Sequence, residues 1–274
     1  MLFEVIKFII YSFLIVIISK KILVVALRNL AETLNLKPKT VGNIAGISTS
    51  VPELLTITTS SIRGLAGASI YNILSSNIIN LIQYFATILI NKNTHKLKNN
   101  AIKTDIILVI ITIIIPIIFL RANVELNINI VPLFVLFYTL FRVLNNSSHK
   151  VYLDIEDDNN EVKEKQQKIE IRSTIKYIII LLVTGVLLYI VGELLGNTLE
   201  NLCNIFSVPQ FVVGILLGFI TSIPELMTFF ESQQHHNKLE NEMKGVVEAT
   251  NNLLTSNIMN LFVIQTIGIL ITNF

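Results

Sequence analysis

Apolar runs long enough to cross a lipid bilayer dominate this chain, and they leave few ways to fold it. The stretch IILVIITIIIPIIFL at 106–120 holds no charged residue. A helix needs about 20 mostly apolar residues to span the hydrocarbon core, and eight runs meet that length, near 4–27, 39–62, 66–90, 104–121, 128–144, 174–195, 208–231 and 245–271. Hydrophobic residues make up 52% of the chain and charged ones 15%, so a water-soluble globule would lack the polar surface to cover itself. An all-α membrane protein follows. The opening MLFEVIKFIIYSFLIVIISKK resembles a signal peptide, but Glu4 weakens its basic start and no small-residue cleavage site follows, so it reads as a retained first helix.

The basic residues test that count. With even junctions on one face, that face receives Lys7, Arg63 and Arg121, and the opposite face receives the other eighteen of the 21 lysines and arginines. Positive residues stay cytoplasmic. The bias therefore predicts an integral membrane protein of the cell membrane with both termini outside and the long polar stretch at 145–173 in the cytoplasm. That stretch separates a first unit, 1–144, with five spans from a second, 174–274, with three. Its Asp154, Glu156, Asp157 and Asp158 lack the spacing of a calcium-binding loop and read as solvated charge. The net charge of +2 points to no nucleic-acid partner. Cys203 stands alone, which excludes an intrachain disulfide.

The two units repeat each other. Residues 28–56 and 200–228 align without a gap and share eleven of twenty-nine residues, and NILSSNIINL at 72–81 matches NLLTSNIMNL at 252–261 at seven of ten. The shared residues are largely Gly, Thr, Ser, Pro, Glu and Asn, which a chance match between Ile-rich segments would not select. An odd number of spans per unit turns the second copy upside down, giving inverted repeats.

The repeated residues carry chemistry. Gly46, Thr49, Ser50 and Glu53 share one helical face, as do Gly218, Thr221, Ser222 and Glu225. Asn72, Ser76 and Asn80 form a second stripe, matched by Asn252, Ser256 and Asn260. Pro52 and Pro224 have no N–H to give the carbonyls of Ser48 and Ile220, so the helix is expected to open beside each glutamate. An acidic side chain at the centre of a span costs about 2.5–3.5 kcal/mol on insertion scales, and a duplicated pair is better explained by a cation between them than by two neutral hydrogen-bonded acids. Ligands with oxygen alone suit a hard ion; calcium takes roughly 6–8 oxygens, two carboxylates balance one Ca²⁺, and Na⁺ or H⁺ could compete for the same site. Gly42 and Gly214 read as helix-packing glycines, with Gly46 and Gly218 also offering carbonyls. His235 and His236 lie in a polar hinge and read as solvated.

The paired blocks T-S-x-P-E-L and S-N-I-x-N resemble the two alpha repeats of the calcium/cation antiporter superfamily, the sodium/calcium exchangers and their relatives. The resemblance implies an inverted-repeat transporter bundle exchanging Ca²⁺ for Na⁺ by alternating access, with a homodimer as a possible assembly and no cofactor beyond the transported ions. It implies ion-coordinating roles for Glu53, Glu225, Thr49, Ser50, Thr221, Ser222, Ser76 and Ser256, and for the carbonyls of Gly46 and Gly218, with helices one and six as a sliding gate. Two departures stand out: Asn260 replaces an acidic residue common among relatives, and the spans number eight where ten are usual, the last pair packing away from the site. The alternatives are a Ca²⁺/H⁺ exchanger and a non-transporting relative. An intramembrane enzyme is disfavoured because no Ser–His or Asp–Asp pair stands at matched depth.

Overall fold

The computed structural model describes residues 2–34, 36–62, 66–124, 126–152, 171–205 and 210–273. Among them helices fill every expected span and no strand occurs. α1 (Leu2–Ile18) continues through a π turn at Ser19–Leu23 into α2 (Val24–Thr33); α3 (Pro38–Thr49) and α4 (Val51–Ile62) form one interrupted rod; α5 (Ala66–Ile90), α6 (Asn100–Arg121) and α7 (Val131–Tyr152) complete the first unit. The second holds α8 (Ile171–Ile205), the interrupted pair α9 (Gln210–Thr221) and α10 (Ile223–Lys238), and α11 (Glu242–Ile258), which passes through a π turn at Met259–Ile264 into α12 (Gln265–Asn273). Five helices pass as spans on length and apolarity, over Ile70–Ile90, Asn100–Arg121, Ile128–Tyr152, Ser173–Thr198 and Glu242–Ile271. The other three expected spans coincide with α1–α2, α3–α4 and α9–α10.

Polarity runs opposite to that of a soluble protein. Leu2, Ile9, Phe13, Leu136, Leu182 and Val186 stand exposed on outer faces, whereas Glu53, Asn72, Ser76, Asn77, Asn80, Glu225, Asn252, Ser256, Asn257 and Asn260 are buried. Lipid accepts the apolar exterior, and the interior collects groups that need partners.

Glycines set the spacing at the centre. A Cβ on Gly46 would stand 2.7 Å from the Asn252 carbonyl oxygen and 3.0 Å from the Ser256 nitrogen; one on Gly218 would stand 2.9 Å from both the Asn72 oxygen and the Ser76 nitrogen. Each repeat's glycine helix thus seats on the other repeat's asparagine helix at backbone distance, the same contact made twice.

The polar stretch expected at 145–173 begins later than its composition suggests, because α7 runs on to Tyr152. The reason is a partner in another helix. Asn145 donates from Nδ2 to Asp105 Oδ1 at 2.8 Å, and His149 Nε2 lies 2.7 Å from Asp105 Oδ2. Asp105 is completely buried, so these one-turn-apart side chains hold the helix against α6. The acidic cluster at 154–158 lies outside the described residues. His236 also departs from expectation, while His235 stays partly exposed: α10 extends to Lys238, and His236 Nε2 lies 3.1 Å from Glu248 Oε2 inside the protein.

Two consequences are measurable as melting temperatures in detergent. Gly46→Ala and Gly218→Ala force a methyl into backbone and should each cost about 1–3 kcal/mol, whereas Gly185→Ala and Gly192→Ala, where a Cβ meets nothing within 4 Å, should be neutral or slightly stabilising. Removing His149 as Ala strips a partner from the buried Asp105 and should cost about 3–5 kcal/mol; a melting temperature equal to that of the parent would contradict this account.

Candidate cation site

Each interruption falls one residue before the Val-Pro or Ile-Pro step. Ser50 has φ −81° and ψ 1°, Ser222 φ −82° and ψ 1°, and the ladder resumes immediately, with Leu54 N donating to Ser50 O at 3.1 Å and Leu226 N to Ser222 O at 3.3 Å. The break is a kink rather than an unwound segment. It places Glu53 and Glu225 in the first turns of α4 and α10, where the positive end of a helix favours negative charge. The carbonyl-bearing ends of α3 and α9 sit beside them.

The two glutamates share one buried centre, each beside residues of the other repeat. Glu53 lies beside Thr221, Ser76 and Glu225; Glu225 lies beside Ser256 and Thr49. Each acid thus has the serine of its own half and the threonine of the other as neighbours. Ser256 Oγ donates to Glu225 Oε1 at 3.0 Å, and Ser50 Oγ lies 3.0 Å from Ser256 Oγ. The Gly46 carbonyl accepts from Ser50 Oγ at 2.8 Å; that of Gly218 accepts from Ser222 Oγ at 2.7 Å and Ser76 Oγ at 3.3 Å. The glycine carbonyls therefore face the expected residues while engaged by hydroxyls.

Oxygen atoms without a hydrogen-bond donor collect here. Both Glu53 oxygens, Glu225 Oε2, and the Oδ1 atoms of Asn72, Asn80, Asn252 and Asn260 are buried with no such partner. Buried acceptors are normally satisfied, and a set of orphaned oxygens around two carboxylates has the composition of a hard-cation shell. Among the described residues no three His, Cys, Asp or Glu side chains converge, so most ligands here would be hydroxyl, amide or carbonyl oxygens. Arg142 adds positive charge nearby, donating to Asn43 Oδ1 and Thr255 Oγ1, each at 3.2 Å.

Hydrogen bonds link Thr49 and Ser50 to Gly46, Ser50 through Ser256 to Glu225, Thr221, Ser222 and Ser76 to Gly218, and Asn80 to Ser256, while Asn260 joins through Asn77; Asn77 and Asn257, which the stripe did not mark, share this network. Asn77 Nδ2 donates to Asn257 O at 3.3 Å and Asn257 Nδ2 to Asn77 O at 3.2 Å, a reciprocal clamp between α5 and α11. Asn80 Nδ2 donates to Asn257 Oδ1 and Asn260 Nδ2 to Asn77 Oδ1, both at 3.2 Å. Asn77 and Asn257 recur in the S-N-I-x-N block, but they fall out of phase with the four-residue stripe.

Comparison with known proteins agrees with this geometry. The sequence pattern of the family described as Sodium/calcium exchanger protein matches residues 5–145 and 176–274. No curated protein matches the chain by sequence. Solved structures of the sodium-calcium exchanger NCX_Mj share the fold. One, soaked with 10 mM Na⁺ and zero Ca²⁺, aligns with TM-score 0.58 at 20% identity over 99% of this chain and 84% of that one. Another, soaked with 100 mM Na⁺ and 10 mM Sr²⁺, gives TM-score 0.59 at 18% identity over 99% and 83%. With duplicated inverted halves, a buried oxygen-rich centre and a pattern match across both units, this chain belongs to the sodium/calcium exchanger family and is an integral membrane cation antiporter.

Proposed function

We propose that the protein exchanges Ca²⁺ for Na⁺ by alternating access, with Glu53 and Glu225 as the charged ligands and Thr49, Ser50, Thr221, Ser222, Ser76, Ser256, Asn80, Asn260, Gly46 and Gly218 supplying neutral oxygens. The observation that carries this reading is the pair of fully buried carboxylates, crossed between repeats, among oxygens that no donor satisfies. A bare charge in a dry interior is too costly to persist. A divalent ion shared by two carboxylates removes that cost, and transport follows if the site can face either side in turn. The inverted repeats, 1–144 and 174–274, provide two nearly equivalent arrangements of one site. The uneven spread of basic residues supports a cell-membrane protein with its N-terminus outside and the 145–173 region in the cytoplasm.

Glu53→Gln or Glu225→Gln keeps the volume and removes one charge. Leaving a desolvated ion short of one carboxylate costs about 2–5 kcal/mol, so uptake of radiolabelled calcium into sodium-loaded liposomes at subsaturating calcium should fall roughly 30-fold or more. Unchanged uptake in either variant would sink the assignment. Calcium flux driven by a pH gradient without sodium would instead make the counter-ion H⁺.

Charge balance sets the stoichiometry. Two carboxylates are neutralised by one divalent or by two monovalent cations, so the loaded site carries the same charge in either phase. Exchange should therefore be electroneutral, and a potassium diffusion potential imposed with valinomycin should leave the initial rate unaltered. A rate that follows the potential would show that further charge crosses with the ions.

A further inference from the structure

The α11 stripe does not end at Asn252. Residue 248 lies one turn earlier on the same face as Asn252, Ser256 and Asn260, and it is a glutamate with only 3% of its surface exposed. Its carboxylate is saturated. Arg28 on α2 grips it with both nitrogens, NH2 to Oε1 at 3.0 Å and NH1 to Oε2 at 3.1 Å; Ser232 Oγ donates to Oε1 at 2.5 Å, and His236 Nε2 lies 3.1 Å from Oε2.

This pair bridges a seam. Buried apolar residues fall into two clusters with no common member. One gathers Ile15, Ile18, Leu23 and Leu27 of the first rod and Ala45 of α3 with Leu188 and Leu195 of α8 and Ile220 of α9; the other holds residues of α4, α5, α6, α7, α11 and α12 with Phe229 of α10. Across the seam, the described ion pairs are Arg28–Glu248 and the looser, exposed contact of His235 Nε2 with Glu32 Oε1 at 3.9 Å. A narrow cavity lies beside this pair, walled by Val24, Leu27, Arg28, Val41 and Ala45 on one side and by Thr228, Ser232 and Glu248 on the other. Thr228 in turn accepts from the amide of Asn252, so a single side chain stands between the cavity and the ligand stripe. The repeat gives no second copy of the device: aligned with Arg28 is Glu200, and aligned with Glu248 is Ala68.

We propose that Arg28 and Glu248 form a one-sided latch over the ion pathway, on the side of the turn between α2 and α3. Glu248 is the outermost acidic station of the α11 stripe, and Arg28 is a tethered cation that holds it until the α1–α2–α8 body shifts and a hydrated metal cation takes its place. The proposal rests on the antiporter reading for the pathway it closes, and its test reads access rather than flux.

In a Cys203→Ser background, Val41→Cys places a thiol in the cavity wall. Its modification by a cationic methanethiosulfonate in nanodiscs is expected to be slow with the pair intact. Arg28→Gln should speed it roughly tenfold or more, the response to a shift of a closed population toward an open one, and Arg28→Lys should fall between. Glu248→Gln should also speed modification, but with less preference for the cationic over a neutral reagent. Equal rates in parent and Arg28→Gln proteins overturn the latch. Should Arg28→Gln lose its monodisperse elution, the exchanged pair Arg28→Glu with Glu248→Arg decides: slow modification supports the latch and fast modification overturns it. Because thiol modification needs no transport, a protein in which Glu53→Gln leaves calcium flux intact would overturn the exchange reading and leave this result standing.

Discussion

Two carboxylates enclosed in a lipid-embedded interior set the terms for everything around them. Glu53 and Glu225 are completely buried, and a charge so placed cannot be balanced by apolar packing. The chain responds by turning its polar residues inward from four helices, leaving Ile, Leu, Val and Phe to face the acyl chains. Lipid solvates that exterior as well as a protein interior would, so folding need only bring the polar stripes into register. Close approach at Gly46 and Gly218 supplies that register. Were those helices held a methyl farther apart, the Thr49–Glu225 and Thr221–Glu53 neighbourhoods would separate.

Duplication makes the arrangement self-consistent. Each half contributes a kinked rod bearing an acid and a straight rod bearing asparagines, and each kinked rod packs on the other half's straight one. Neither half can build the centre alone. The reciprocal Asn77–Asn257 clamp ties the two straight rods, which carry Ser76 and Ser256, to each other near the approximate twofold axis. A site on a symmetry axis has similar access energetics toward both faces, which is what an exchanger requires. What distinguishes the faces must come from residues that break the repeat, and Arg28, Glu248 and Arg142 are such residues.

How much of this could be read beforehand depends on whether a feature belongs to one helix or to two. The Gly46–Thr49–Ser50–Glu53 stripe and the kink announced by Pro52 are properties of a single rod, so spacing alone revealed them. The end of α7 is not such a property: Asn145 and His149 look like loop residues until Asp105, forty positions away, is found opposite them. The same holds for His236, whose polar neighbourhood in sequence hid a partner on α11. Periodicity reports that a face exists, and it says nothing about which helix covers that face. Inverted repeats relax this limit for the centre, because a residue kept in both copies is constrained by the axis; Asn77 and Asn257 carried that signal but lay off the stripe being followed.

Asn260 shows how the two demands on the centre, charge and connectivity, are traded. Its Nδ2 donates to Asn77 Oδ1 while its Oδ1 has no donor, so one side chain both extends the clamp and presents an oxygen inward. An aspartate in that position would bring a third buried charge but no N–H, and the Asn77 amide oxygen would face a carboxylate instead of a donor. Asn80 makes the mirrored choice against Asn257. Each half then holds one acid and three asparagines, and the centre is symmetric in charge as well as in residue type. At residue 260 the amide thus supplies a bond that fastens the two halves together where a third buried charge would need a further cation to balance it.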